Sequence, residues 1–477
     1  MRTLKYKDSE QKMSEEKVEI EKDDASATAN ESYGISDELS KELLEALEGK
    51  QRAVVKGLVD PLHSADIADF IEKISPEQRR SFVKYIRKNF APEILVEINN
   101  SAKEDVIGVL GARKSAEAIN TLENDDAVEV MENLTQAGQQ VILEEMPENK
   151  REQMEESLSF PEDSAGRLLD KKIVCVPEFW TVGQTIDFLR SNKDLPRDFY
   201  QIFVSDPKMK PVGGVLLSHI MCSNRSVKIK DIMSENLKTI KANMDQEEVA
   251  FIFRQYGLVS APVVNEDGRM IGIITVDDIV HVIEEEAQED ILRLGGISET
   301  DIHTGFAETT MSRFPWLIAN LVTAIIASVV IGLFEETIEK LAALAVLMPI
   351  VASMGGNAGT QSITVTVRAI ATKELTSTNM MRVVKKELLV GGLNGIMFAI
   401  ITGILSYAWY GSLGLSLVFA IATIFTLLLA GLSGTLVPVG LVKLGVDPAI
   451  ASSVLLTTIT DIVAFGVFLG FATMILF

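Results

Sequence analysis

The sequence predicts a multidomain chain: an all-α N-terminal superhelical domain, a tandem α/β repeat, an acidic connecting helix and an all-α membrane domain of five spans. Three observations predict it. Charged and apolar residues are segregated along the 477 residues. Short helical periods fill the first third, and a strand-and-helix pattern recurs after about 60 residues. The length itself requires more than one core, since domains hold roughly 100 to 200 residues.

Residues 1–35 mix charges with Ser, Ala and Asn and have few apolar side chains at any period, the composition of a disordered tail. Residues 36–160 break into short amphipathic helices such as DELSKELLEALEG, SADIADFIEKI, PEQRRSFVKYI, SAEAINTL and DAVEVMENL, each opened by a Ser, Asp or Pro start signal. None can bury a face alone, so hairpins stacked into a small superhelix are expected.

In residues 161–280, YQIFVSD, a loop with Pro211, Gly213 and Gly214, and VLLSHIM are mirrored by APVVNEDGRM and IGIITVDDIVHVI. A helical stretch precedes each half, TVGQTIDFLR in one and DQEEVAFIFRQYG in the other. The segment therefore divides into repeats at 161–225 and 226–280. Residues 281–312 lead to the membrane domain, 313–477. A helix is expected from Val276 to Leu294, with Ile279, Val282, Ile283, Ile291 and Leu294 on its apolar face. Its other face carries Asp277, Asp278, Glu284, Glu285, Glu286, Glu289 and Asp290. No Lys or Arg is interleaved before Arg293, so the run lacks i,i+4 compensation and calls for cations from elsewhere.

The formal charge is −22; from Asp301 onward nine acidic and eight basic side chains leave −21 on residues 1–300. Such a surface repels nucleic acid and attracts cations. Cys175 and Cys222 lie in no CxxC, which argues against a disulfide framework or a zinc site. No positively charged segment followed by an apolar one opens the chain, so a cytosolic N-terminus is expected. With no Walker loop, HExxH or Ser-His-Asp spacing, enzymatic chemistry is not expected.

Five stretches are long and apolar enough to span a bilayer: Phe314 to Phe334, Leu341 to Val367, Leu388 to Tyr410, Leu415 to Val442 and Ala449 to Phe477. Arg368, Lys373, Arg382, Lys385 and Lys386 lie between the second and third. That loop is therefore cytoplasmic, the N-terminal domains are cytoplasmic and the C-terminus is outside.

Two features of the spans carry chemistry. PIVASMGGNAGTQS, Pro349 to Ser362, combines proline, glycines and polar residues, which predicts broken backbone lining a watery cavity; the alternative is a tight helix crossing through small residues. Asp461 reads as the only ionisable side chain well inside a span, where a carboxylate costs roughly 2.5 to 3.5 kcal/mol. Thr457 and Thr458 precede it by one turn. The alternative role is a buried, hydrogen-bonded structural acid. Carboxylate and hydroxyl oxygens without His or Cys favour hard cations, and hydrated Mg2+ is commonly held by one or two carboxylates. A symmetry axis that doubled Asp461 would supply two.

The repeat resembles a tandem pair of CBS domains. In its second half Gly272-Ile-Ile-Thr275-Val-Asp-Asp278 matches that family's nucleotide stretch, whereas Gly214-Val-Leu-Leu217-Ser-His-Ile220 in the first does not. The resemblance implies a single site for ATP or another adenine nucleotide, held by Gly272, Thr275 and Asp278.

The domain order, the SFPEDSAGRLL linker, the TVDD acidic helix, PIVASMGGNAGTQS and the final-span aspartate together resemble the MgtE magnesium channels. This resemblance implies a homodimer in the cell membrane that takes up Mg2+ through a pore at its axis. Asp461 would bind the ion, with Thr457, Thr458, Asn357 and Ser453 around it. It also implies that cytosolic Mg2+ between the acidic N-terminal, CBS and connecting-helix surfaces shuts the pore. Asp245, Glu247, Asp278, Glu286 and Glu289 match the sensor positions, and Asp277, Glu285 and Asp290 extend the same acidic surface. His281 and Gly257 stand where better-known members have carboxylates. The alternatives are a proton-coupled divalent cation secondary transporter, because lone intramembrane acids exchange protons, and a non-conducting nucleotide sensor.

Overall fold

The structure, a computed structural model, describes residues 34–193, 195–196, 199–297 and 306–477; the expected tail, except for Gly34 and Ile35, lies outside the described residues. Two compact units are present: the chain up to Val249 with Tyr256–Asp278, and Ile279–Phe477 with Ala250–Gln255.

The first unit opens with ten helices among the described residues: α1 (Asp37–Glu48), α2 (Arg52–Val59), α3 (Ser64–Lys73), α4 (Pro76–Ile86), α5 (Ile94–Glu97), α6 (Asn100–Leu110), α7 (Ala112–Ile119), α8 (Asn124–Glu132), α9 (Gln136–Glu145) and α10 (Glu148–Leu158). Their starts follow the local signals. Ser75 and Gln78 form a capping box around Pro76, while Asn99 and Thr135 cap α6 and α9. Apolar faces from α1 to α10 merge into one core that includes Leu43, Phe70, Phe82, Leu95, Val106, Val128 and Met131. Ion pairs recur from helix to helix. Arg79 and Arg80 both reach Asp105 (3.2 and 2.9 Å), and the buried Lys103 reaches Glu129 (2.7 Å). A separation of 25–26 residues recurs in each pair, the signature of a superhelix whose successive turns touch only their neighbours.

The repeat forms two three-stranded sheets with one topology. In the first, β1 (Cys175–Pro177) runs parallel to β2 (Gln201–Ser205), which pairs antiparallel with β3 (Pro211–Leu216). In the second, β4 (Ile240–Lys241), β5 (Ser260–Val264) and β6 (Met270–Thr275) repeat this order, with a register shift at the equivalent step, Val204/Ser205 and Val263/Val264. Helices α11 (Val182–Ser191), α12 (Leu217–Cys222) and α13 (Gln246–Tyr256) complete the repeats. Hydrogen bonds of the first half continue past 225. Val182 N–H donates to Val227 O, and Gly214 and Ser234 bond one another, so residues 226–234 belong with the first sheet. Conversely, the linker at 164–170 joins the second: Gly166 N–H donates to Ala242 O, and Asp170 exchanges both backbone bonds with Ile273. Strand pairing depends on unsatisfied edges far apart in sequence, which a local repeat does not display.

The connecting helix α14 spans Val276–Leu294, as the periodicity predicts. Ile279 and Val282 are buried, whereas Ile283 and Ile291 are exposed.

In the second unit five long apolar helices follow: α15 (Phe306–Gly332), α17 (Ala343–Ala371), α18 (Met380–Tyr410), α19 (Leu413–Lys443) and α20 (Pro448–Leu476). The short α16 (Glu335–Lys340) replaces the expected first loop. Helix α19 is the axis of the packing, with α17, α18 and α20 all against it. Leu344, Leu347, Val351, Phe419, Phe468 and Leu469 form the shared core. In contrast, α15 keeps Leu317, Leu321 and Ile325 exposed, as a lipid-facing helix does.

The backbone at Pro349–Ser362 is continuous helix, which overturns the expectation of a break there. Pro349 lies in the second turn of α17, where it removes one i→i−4 bond without ending the helix, and the glycines serve close approach instead. A Cβ on Gly434 would lie 2.7 Å from Ser362 Cβ and 2.8 Å from Gly359 O. Gly434→Ala is therefore expected to lower stability by about 1–3 kcal/mol, read as a lower thermal unfolding temperature in detergent. An unchanged temperature would contradict this account of the crossing.

Candidate ion pathway and regulatory sites

Helices α17 and α20 run antiparallel: Gly355 lies beside Thr460 and Gly359 beside Leu456. Small residues on α17 bring the helices together on one face and leave its polar residues on another. Ser353, Asn357, Thr360, Gln361 and Thr364 are exposed at helical spacing, while Gly355, Gly359, Ser362 and Thr366 are buried. The register places Asn357 level with the turn 456–460. On α20, Thr457 is exposed, Asp461 is half-buried one turn further on, and Ser453 and Thr458 are partly buried. Thr457 and Thr458 hydroxyls donate to the carbonyls of Ser453 and Val454 (2.9 and 2.7 Å). Their oxygens stay free to accept from water around an ion. Among the described residues, Asp461 has no hydrogen-bonded or ionic partner, which argues against a purely structural acid.

The membrane-domain helices carry one further carboxylate that meets a neighbouring helix. Helix α18 begins eight residues earlier than the apolar run, so Glu387 lies on it and accepts from Ser362 Oγ (2.8 Å). Hydropathy assigned Glu387 to the loop because Lys385 and Lys386 precede it.

An acidic cluster forms in the first unit at the start of α8 and of α14. Burial, followed by the Asp278 charge, raises the carboxyl of Asp125 well above its usual range. The same two causes, joined by Glu129, Glu123 and Asp277, push Asp126 up to about 7. Burial is also the main cause that raises Asp278 to about 6, opposed by the hydrogen bonds from Thr275. Asp170, raised mainly by burial, adjoins them. Asp125 Oδ1 is buried without a hydrogen-bond donor. Asp125 and Asp126 escaped the sequence reading because NDDAVEVMEN looks like an ordinary helix start, whose first turn favours acids. The cluster exists because Asn124 binds α8 to the linker through Leu169 O (2.8 Å).

Of the other sensor candidates, Asp245 is exposed, and its carboxylate accepts from Glu247 N–H (2.9 Å) at the start of α13. Asp277 and Glu285 are exposed, whereas Glu286, Glu289 and Asp290 are partly buried along α14. Burial and the neighbouring Asp447 raise Asp290. Gly257 has φ +60°, a conformation that a carboxylate residue would strain to adopt, so the backbone accounts for the glycine. His281 is exposed. Among the described residues no set of three Asp, Glu, His or Cys side chains is arranged to hold a metal ion.

The nucleotide motif is engaged by the protein itself. Thr275 Oγ1 and N–H both donate to Asp278 (2.8 and 3.2 Å). A Cβ on Gly272 would overlap Leu169 and lie 2.7 Å from Asp170 O, so this glycine admits the linker.

These features define a multi-pass helical membrane protein with an acidic N-terminal part. Family profiles match it in three places: the MgtE intracellular N domain at 62–163, a CBS domain at 229–285 and the MgtE divalent cation transporter at 348–471. The magnesium transporter MgtE of Bacillus subtilis is 30% identical over 440 residues, covering 92% of this chain and 97% of that protein. The magnesium transporter MgtE of Thermus thermophilus is 29% identical over 448 residues, 93% and 99% of the two chains. A crystal structure of the cytosolic domain of the Mg2+ channel MgtE in complex with ATP covers 51% of this chain and 99% of its own, at 26% identity and a TM-score of 0.47. The chain belongs to the MgtE family of magnesium transporters. It is a transporter, not an enzyme, and its N-terminal part is intracellular.

Proposed function

We propose that the protein is a Mg2+-selective channel for uptake, formed by two copies in the cell membrane with the C-terminus outside. The observation that carries this reading is the polar stripe on α17 and α20, with Asp461 unpartnered among the described residues and beside Thr457. A polar face on a spanning helix is unstable against lipid and needs either a second copy or a water-filled path. Two Asp461 carboxylates across an axis suit hydrated Mg2+, which retains several of its waters. Asn357, Ser453, Thr457 and Thr458 would contact that water shell.

The acidic regulator supports closure by cytosolic Mg2+. Asp125, Asp126 and Asp278 repel one another when ionised, and a divalent cation replaces the protons that otherwise hold them together. Asp245, Glu247, Asp277, Glu285, Glu286, Glu289 and Asp290 are the further carboxylates assigned to sensing in this reading. Occupation then shifts a population from open to closed. The Gly272–Asp278 loop supports an adenine nucleotide such as ATP as an additional ligand, bound once Thr275 releases Asp278.

In proteoliposomes, Mg2+ current is expected to reverse at the Mg2+ equilibrium potential without a pH gradient. Flux that requires a pH gradient would replace the channel with a proton-coupled transporter. Limited proteolysis of the full chain within 284–297 is expected to slow as Mg2+ rises through the millimolar range; unchanged cleavage would remove the sensor role.

A further inference from the structure

We infer that Arg293 is a positioning residue for gating: its guanidinium latches the connecting helix α14 to Asp447 at the start of the pore helix α20, as a built-in bridging cation. The inference rests on the gating reading above.

Arg293 is the only Lys or Arg on α14. One of its terminal nitrogens donates to Asp447 Oδ2 at 2.5 Å, and the other pairs with Glu289 one turn back. The other oxygen of Asp447 accepts from Ala449 N–H (2.7 Å), so the same carboxylate caps α20. The next residue, Leu294, packs on Ile363, Val367, Ala449 and Leu456 of α17 and α20. Gly296 then turns with φ +71°. The apolar contact fixes where the end of α14 sits, and the guanidinium fork fixes its rotation.

Arg293 and Asp447 are each about one-third exposed, and pairs of that kind contribute little to overall stability. The geometry is what matters. A guanidinium presents donors in a rigid plane and holds two carboxylates in one arrangement. Asp461 lies fourteen residues beyond Asp447, about 21 Å along a stiff helix, so movement at the cap is carried to the pore. If divalent cations close the pore by bridging acidic surfaces, a permanent cation at this junction performs part of the same task and lowers the Mg2+ needed.

The test uses the full chain in proteoliposomes and reads the cytosolic Mg2+ concentration that half-closes the pore. Arg293→Gln and Asp447→Asn are each expected to raise it about tenfold. Asparagine keeps the helix cap and removes only the charge. The double variant is expected to match the singles, because both remove one interaction. Arg293→Lys should recover part of the shift, and single-channel conductance should stay at the wild-type value. A lower half-closing concentration would make Arg293 a competitor of Mg2+ and overturn the latch, as would additive shifts or none. If the wild type does not close with Mg2+, the gating reading fails by itself. Thermal unfolding of the same four proteins in detergent then decides the latch: non-additive shifts support it, and additive shifts overturn it.

Discussion

Asp461→Asn is expected to reduce Mg2+ flux roughly 100-fold, two tenfold steps of about 1.4 kcal/mol each. Asparagine preserves size and hydrogen bonding, so the change isolates the charge. Asp461 has no partner among the described residues, and neutralising it relieves a desolvation cost of roughly 2.5 to 3.5 kcal/mol. The variant should therefore fold at least as well as the wild type while failing to transport. That opposition of stability and flux separates an ion ligand from a structural acid, whose loss would lower both. Asp461→Glu, with the charge retained and displaced by one methylene, should fall between them. Uptake of Mg2+ into proteoliposomes, with thermal unfolding measured in parallel, checks both halves. Wild-type flux in Asp461→Asn would remove the residue from the pathway.

The acidic cluster carries the second large effect. Asp126 titrates at about 7 and Asp278 at about 6 in the folded chain, against an ordinary carboxylate value of 3.8. The folded state then holds more protons than the unfolded one from about pH 4 to about pH 7. Without divalent cations, the stability contributed by this cluster is present at low pH and lost as pH rises through that window. Mg2+ should restore it at pH 8, where the carboxylates are ionised, and add little at pH 5.5, where protons already neutralise them. Hydrogen exchange of amides in 124–132 and 275–278 of the full chain reads this directly. Asp126→Asn should flatten the pH dependence and weaken the response to Mg2+. Equal protection by Mg2+ at both pH values would sink the idea that the cluster binds cations.

The elements were legible where local pattern is enough. Helix α14 begins at Val276 and ends at Leu294 as the periodicity places it, and the five spans appear where the apolar runs lie. Capping signals such as Ser75 before Pro76 mark helix starts because backbone donors there need a nearby acceptor. Errors arose where a residue's role depends on what approaches it from elsewhere. PIVASMGGNAGTQS looks broken in isolation, yet it is helical because Gly355, Gly359 and Gly434 admit neighbouring helices. That Leu169 lies beside Gly272 likewise shows only in the fold.

Apolar run length, the period of short helices and the distribution of charge follow from composition and spacing, so the order of the parts, the five long apolar helices and the acidic N-terminal part could be read from the residues alone. Which carboxylates meet could not. Asp125 and Asp126 face Asp278 across about 150 residues of chain, and Arg293 reaches Asp447 across 154. Such meetings are set by strand pairing, linker docking and helix crossings, in which distant segments satisfy one another's hydrogen bonds and apolar faces. These charges are brought together only by that packing.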